Sequence, residues 1–204
     1  MIEGMPGSGK TSTVNLLAAQ GHQVVGEYTT AAGTVIPVAD HPDVGDDDAH
    51  EHNYVAKHRQ ATTLAATGPV FIDRDWLSML AYAHSADDPA LLTARAHRIW
   101  ARLDAGALAV ATAYTVLHTT ADTSLRRRHH RLTSGHPWST GAGLERLAAF
   151  YADPVGIVGA VHPSLARRLS TAAWNHLRNP QIEIAARILR DLARTLDADR
   201  TAAQ

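Results

Sequence analysis

Eight residues near the amino end, Gly4-Met5-Pro6-Gly7-Ser8-Gly9-Lys10-Thr11, follow the pattern G-x-x-x-x-G-K-[ST]. That spacing suits phosphate chemistry. Gly4, Gly7 and Gly9 let successive backbone N–H groups turn inward around phosphate oxygens, and Ser8 and Ser12 belong to the same candidate set. Lys10 is placed to reach the β and γ phosphates, and the Thr11 hydroxyl to ligate Mg²⁺. A helix opening near Lys10 adds the positive end of its dipole. The 19 basic residues include only two lysines, Lys10 and Lys57, so composition poorly explains a lysine in the motif.

A second constellation closes the apolar run Val70-Phe71-Ile72 with Asp73-Arg74. Ligands of open parallel sheets bind at the carboxyl edge of the strands, where this pair emerges. Asp73 could hold Mg²⁺ or accept a proton, and Arg74 could clamp phosphate oxygens bidentately; a salt-bridged helix cap is the plainer alternative. Glu27 ends another apolar run in the same manner and is a candidate general base toward a substrate hydroxyl, or else an ordinary loop carboxylate. The third constellation is Leu125 to Arg131. On a helix Arg127 and Arg131 stand at i,i+4 and Arg128 and Arg131 at i,i+3, gathering three guanidiniums on one face. The Gly-rich stretch that follows suggests a lid over phosphates, with a solvated charge run as the alternative.

These residues need a scaffold, and alternating helical and extended signals supply one: an α/β domain with a parallel sheet. Strands are expected at Met1 to Glu3, Gln23 to Glu27, Val70 to Ile72 and Tyr114 to His118, with a short extended stretch near Arg168 to Thr171. Helices are expected over Lys10 to Ala19, His50 to Ala66, Trp76 to His84 and Pro89 to Leu103, and from Leu144 and Gln181. Residues 28–49 read as a long acceptor-side loop and residues 122–143 as the lid of a single domain, 1–204. Tyr54 and Trp76 are candidate acceptor-stacking aromatics, and Lys57 and Arg59 candidate acceptor contacts.

Composition removes several function classes. The chain has 204 residues, a formal charge of -1 and no cysteine. The first number is enough for one self-sufficient core. The charge argues against general polyanion binding, so nucleic acid is not an expected partner. Lack of cysteine excludes thiolate metal sites and thiol catalysis. The 13 histidines show no metal-ligand spacing. No apolar run is long enough for a membrane span, and the amino end has no basic segment followed by an apolar one, so a cytoplasmic setting is expected.

The chain resembles the thymidylate kinase and deoxynucleoside kinase branch of the P-loop nucleoside and nucleotide kinases. The resemblance rests on Ile2-Glu3-Gly4 running into the loop, Glu27 after the second strand, and Asp73-Arg74 followed by Leu77-Ser78 and Leu80-Ala81-Tyr82. It extends through the strand Tyr114 to His118 leading into the Arg-rich segment, and Pro180 to Leu192. It implies a P-loop NTPase fold: a parallel five-stranded sheet with helices on both faces and an Arg-rich lid. It also implies ATP with Mg²⁺ as phosphoryl donor, Glu27 near the acceptor hydroxyl, Asp73-Arg74 as the acidic–Arg pair, and Arg127, Arg128 and Arg131 as lid arginines. Lys10, Glu27, Asp73, Arg74, Arg128 and Arg131 form the candidate catalytic set. The expected activity is transfer of the γ-phosphate to a hydroxyl of a nucleoside-like or specialised-metabolite acceptor. Alternatives are a nucleoside monophosphate kinase, a nucleotide-dependent NTPase or switch, and a nucleotide-holding binding module. A homodimer is compatible with all of them.

Overall fold

Short apolar runs bounded by glycine, proline or acidic residues become the strands, and every pairing between them is parallel. The structure, a computed structural model, describes residues 1–28, 43, 45–128 and 136–202, with 199–202 by backbone alone. The strands are β1 (Ile2–Gly4), β2 (Gln23–Val25), β3 (Val70–Ile72), β4 (Ala113–His118) and β5 (Ala173–Arg178). The helices are α1 (Lys10–Ala19), α2 (Asp47–Ala65), α3 (Leu77–Ser85), α4 (Pro89–Asp104), α5 (Ala121–Arg128), α6 (Gly141–Ala152), α7 (Pro154–Val161), α8 (Pro163–Leu169) and α9 (Ile182–Ala202), with a 3-10 turn at Pro137–Ser139.

The expected five-stranded sheet is corrected. β1, β4 and β5 form a three-stranded sheet in the order β1-β4-β5, and β2 and β3 form a separate pair. A single parallel bridge, Ile2 to Asp73, joins the two. The reason is local: β1 is three residues long, and β3 meets its other edge only where Arg74 N donates to the Ile2 carbonyl and the chain turns away through Arg74 at φ 62°. Read through that bridge the spatial order is β2-β3-β1-β4-β5. Connections from β1 and β3 then leave in opposite directions, which makes their carboxyl ends the topological switch point.

Alternation along β4 assigns its two faces. Tyr114 and Val116 enter one apolar cluster with Leu77, Leu80, Ile99, Leu144, Phe150 and Leu165, while Leu117 joins Ile2, Val14, Leu17, Phe71 and Leu189 in the other. Helices therefore cover both faces, as expected. No described helix is long and apolar enough to cross a membrane.

Three local expectations change. The fifth strand lies at Ala173–Arg178, and Arg168 sits in α8. Between the Leu144 helix and that strand two further helices form, each with proline in its first turn and a capping side chain before it, Asp153 for α7 and His162 for α8. The acidic run Asp46 to Asp48 starts α2: Asp46 caps it through Ala49 N, and Asp47 and Asp48 meet Arg95 and Arg98 of α4. Residues 29–42 and 44 of the acceptor-side loop lie outside the described residues, as do 129–135 of the lid.

Candidate functional site

The phosphate loop is the turn between β1 and α1, and two glycine positions show why no other residue fits. A Cβ on Gly4, at φ 130°, would lie 2.2 Å from the Leu117 carbonyl oxygen, because the loop leaves β1 pressed against β4. A Cβ on Gly7, at φ 71°, would lie 3.1 Å from the Arg127 Cβ. Helix α5 packs directly on the loop: Ser124 Oγ donates to the Pro6 carbonyl at 2.7 Å, and Arg127 Nη1 donates to the Gly7 carbonyl at 2.8 Å. Gly9 precedes α1 without a side-chain cap, so the first N–H groups of that helix, at Lys10, Thr11 and Ser12, are left for an anion.

Lys10 is 5% exposed, and its Nζ donates to the carbonyls of Gly4 at 2.9 Å and Met5 at 2.8 Å. Burial pushes its pKa down to about 7, and the nearby Arg74 guanidinium adds to this against the pull of Asp73, Glu27 and Glu3. Thr11 Oγ1 donates to Asp73 Oδ2 at 2.8 Å. Asp73 is fully buried, and burial together with the Glu27 carboxylate raises its pKa. Its Oδ1 is buried with no hydrogen-bond partner among the described residues, and neither has the Ser8 hydroxyl.

Arg74 organises the carboxylates. Its Nε lies 2.9 Å from Glu27 Oε1, its Nη1 lies 3.8 Å from Glu3 Oε2 and donates to Ser78 Oγ at 3.1 Å, and its guanidinium rests 5.4 Å from the Trp138 ring centre. Burial alone would depress its pKa, and the Glu27 charge with those behind it outweighs this and raises it. The Glu27 side chain is 33% exposed. The structure thus brings Lys10, Thr11, Glu27, Asp73 and Arg74 to one sheet edge, with Arg127 on the loop and Arg128 packed beside Gly7. Arg131 lies outside the described residues.

Several site residues escape sequence reasoning. Glu3 accepts from Asp75 N at 2.9 Å, Tyr151 OH at 2.8 Å and Ser78 Oγ at 3.0 Å, so a buried carboxylate ties β1 to α3 and α6. Asp75 accepts from Tyr114 OH at 2.9 Å, and burial with the neighbouring Glu3 lifts its pKa to about 7. Lys57, read as a surface or acceptor contact, is 2% exposed and donates to three backbone carbonyls: Glu27 at 2.9 Å, Asp73 at 2.6 Å and Arg74 at 2.7 Å. Trp76, read as an acceptor aromatic, is core at 1% exposure. The signal for Lys57 was its rarity: both lysines of the chain are buried beneath the same site.

Lys57→Met is expected to destabilise the fold by roughly 2–4 kcal/mol, because it strands the buried Asp73 and Arg74 carbonyls at the end of β3, while the Glu27 carbonyl keeps the Asn53 amide as donor. A urea midpoint that falls at constant slope measures this loss.

A phosphate-binding loop at the switch point of a parallel α/β fold, with an aspartate beside its threonine, defines a P-loop protein with the nucleoside and nucleotide kinase fold. Solved structures share that fold. A deoxyadenosine kinase from M. mycoides with products dCMP and a flexible dCDP bound gives a TM-score of 0.59 at 12% identity, covering 95% of this chain and 97% of the other. The same enzyme with bound dATP gives 0.58 at 12% identity, covering 93% and 96%. Thymidylate kinase from Candida albicans gives 0.58 at 14% identity, covering 96% and 90%. The sequence model of the AAA domain family matches residues 1–134, and the chain belongs to that family. No curated protein matches the sequence.

Proposed function

We propose that the protein is an ATP-dependent kinase that transfers the γ-phosphate to a hydroxyl of a nucleoside-like or specialised-metabolite acceptor. The observation that carries this reading is the placement of a partly exposed carboxylate, Glu27, on the same sheet edge as Lys10 and the Thr11–Asp73 pair. The acceptor hydroxyl passes its proton to Glu27 as its oxygen bonds to the γ-phosphorus. The bond from that phosphorus to the β–γ bridging oxygen breaks, and ADP leaves.

The loop amides at Gly7 and Gly9, with those of Lys10, Thr11 and Ser12, hold the phosphates, and Lys10 neutralises charge on the β and γ oxygens. Arg74 holds Glu27 in place and, with Arg127, Arg128 and Arg131 on the lid, offers further positive charge. Thr11 and Asp73 suit Mg²⁺, since both offer hard oxygens and Asp73 Oδ1 is buried without a partner. The cation, when bound, supplies charge neutralisation on the phosphates. A hydroxyl fits Glu27 better than an acceptor phosphate, which a carboxylate would repel. The deoxyadenosine kinase neighbours favour a nucleoside-like acceptor, and the thymidylate kinase neighbour stands for the alternative of a nucleoside monophosphate kinase. A cytoplasmic setting, with ATP and Mg²⁺ at hand, belongs to the same reading.

ADP release measured with Mg²⁺ across nucleosides, nucleotides and hydroxylated antibiotics tests the proposal. Turnover stimulated at least about tenfold by one acceptor is the expected result, within the usual span of kinase rates. Release of equal size with no acceptor assigns the protein to the NTPases instead.

A further inference from the structure

Helix α2 turns one face toward the segment that carries Glu27. His50, Asn53 and Lys57 stand at i, i+3 and i+7 on that face, and all three are buried. Asn53 Nδ2 donates to the Glu27 carbonyl at 3.2 Å and Lys57 Nζ donates to it at 2.9 Å, so the backbone of that residue is held from behind. His50 acts one residue further on. Its Nδ1 lies 2.8 Å from the Tyr28 hydroxyl, and its Nε2 lies 3.1 Å from the Asp43 carbonyl. The imidazole therefore ties together two points of the chain on either side of residues 29–42.

The partners fix the proton. A carbonyl can only accept, so Nε2 carries the hydrogen, and Nδ1 is left as the acceptor that the Tyr28 O–H fills. The Tyr28 oxygen is hydrogen-bonded in turn to Tyr54, and burial with the Glu27 carboxylate raises the Tyr28 pKa. An imidazolium carries donors at both nitrogens. Its Nδ1–H would oppose the Tyr28 O–H, and that hydroxyl would have to turn away. Burial holds the His50 pKa below the ordinary imidazole value, and Arg95 of α4 adds to this, while the Asp43 carbonyl, Asp47 and Asp46 pull the other way.

We propose that His50 is a positioning residue for the reaction: as a neutral imidazole it clasps Tyr28 to Asp43 and so fixes the direction from which Glu27 meets the acceptor. The role rests on the proton transfer proposed for Glu27. Arg74 grips the Glu27 carboxylate at 2.9 Å, and the α2 face grips Glu27 and Tyr28 from the other side. With the clasp open, the base sits out of line with the acceptor hydroxyl, and a misplacement of about 1 Å is enough to lower the rate severely. Nucleotide binding is spared, because the loop amides and Lys10 belong to the turn between β1 and α1. The clasp is complete at neutral pH and above, and it opens as pH falls through the His50 pKa, below ~6.5.

Nitrogen NMR of His50 in the full chain, read beside acceptor kinetics at saturating ATP, tests this. The spectra are expected to show a neutral ring protonated at Nε2 at pH 7. Tyr28→Phe is expected to raise the His50 pKa by about 0.5 or more, since the hydroxyl that favours the neutral ring is gone. At pH 8, Tyr28→Phe and His50→Leu are expected to lower kcat/KM for the acceptor by about tenfold while ATP affinity stays within about twofold. His50→Asn, whose amide oxygen takes the place of Nδ1, recovers most of that loss. The deficit of Tyr28→Phe shrinks toward none as pH falls below the His50 pKa, because the unaltered protein loses the same bond. A His50 titration that ignores Tyr28→Phe overturns the clasp, with or without turnover. An acceptor kcat/KM that Tyr28→Phe leaves unchanged at pH 8, or lowers equally at pH 8 and pH 5, overturns the positioning role. The expected spectra with no acceptor turnover in any form of the protein count against the kinase reading and leave the clasp standing.

Discussion

Lys10→Ala is expected to lower acceptor-dependent ADP release by about 10²–10³-fold, the usual loss when one preorganised group facing transition-state charge is removed. Lys10 Nζ sits within the carbonyls of Gly4 and Met5, and its burial keeps water from substituting for it. The same residue sets a pH dependence. Its pKa in the free protein is held down to about 7 by burial and by Arg74. A polyphosphate favours the ammonium, so the pKa rises on binding and proton uptake accompanies it between the two values. Triphosphate affinity of the unaltered protein therefore falls as pH rises above about 7, by up to roughly tenfold per unit. Calorimetric titration of an ATP analogue from pH 6 to 9 measures this slope, and Lys10→Ala flattens it. A slope that survives the substitution assigns the titration to another group.

Glu27→Gln is expected to lower the turnover rate by about 10²–10⁴-fold, the range of general base catalysis, while ATP affinity stays within about twofold. The exchange keeps size and removes only charge and basicity. Its carboxylate pairs with Arg74, which stays anchored by Ser78 and by the Glu3 charge behind it. Single-turnover kinetics beside a nucleotide titration separate the two effects. An unchanged rate removes Glu27 from proton transfer. An equal fall in ATP affinity makes it an electrostatic support of Arg74.

How far the sequence reaches depends on how local each feature is. The phosphate loop was legible because its chemistry is backbone chemistry, written in eight consecutive residues and confirmed in shape by Gly4 and Gly7. The carboxyl-edge grouping of Glu27 with Asp73 and Arg74 followed from apolar runs ending in charge. The network under that edge was not legible: Glu3 meets Asp75 and Tyr151 across 72 and 148 residues, and Lys57 reaches Glu27 across 30. No local pattern encodes such pairings. β5 was misplaced for a different reason. It is an edge strand, and Ala173, His176 and Arg178 are exposed, so little apolar alternation marks it.

By itself, then, the order of residues determined the phosphate loop, the parallel α/β class and the acidic and basic groups that close the strands, because each depends on neighbours a few positions away. Tertiary packing alone decided that Arg74 pairs with Glu27, that both lysines are buried beneath one site, and that the sheet divides into three strands and two. Those outcomes depend on which strand ends meet across a single bridge and on which charges are removed from water together, and both are properties of the assembled chain.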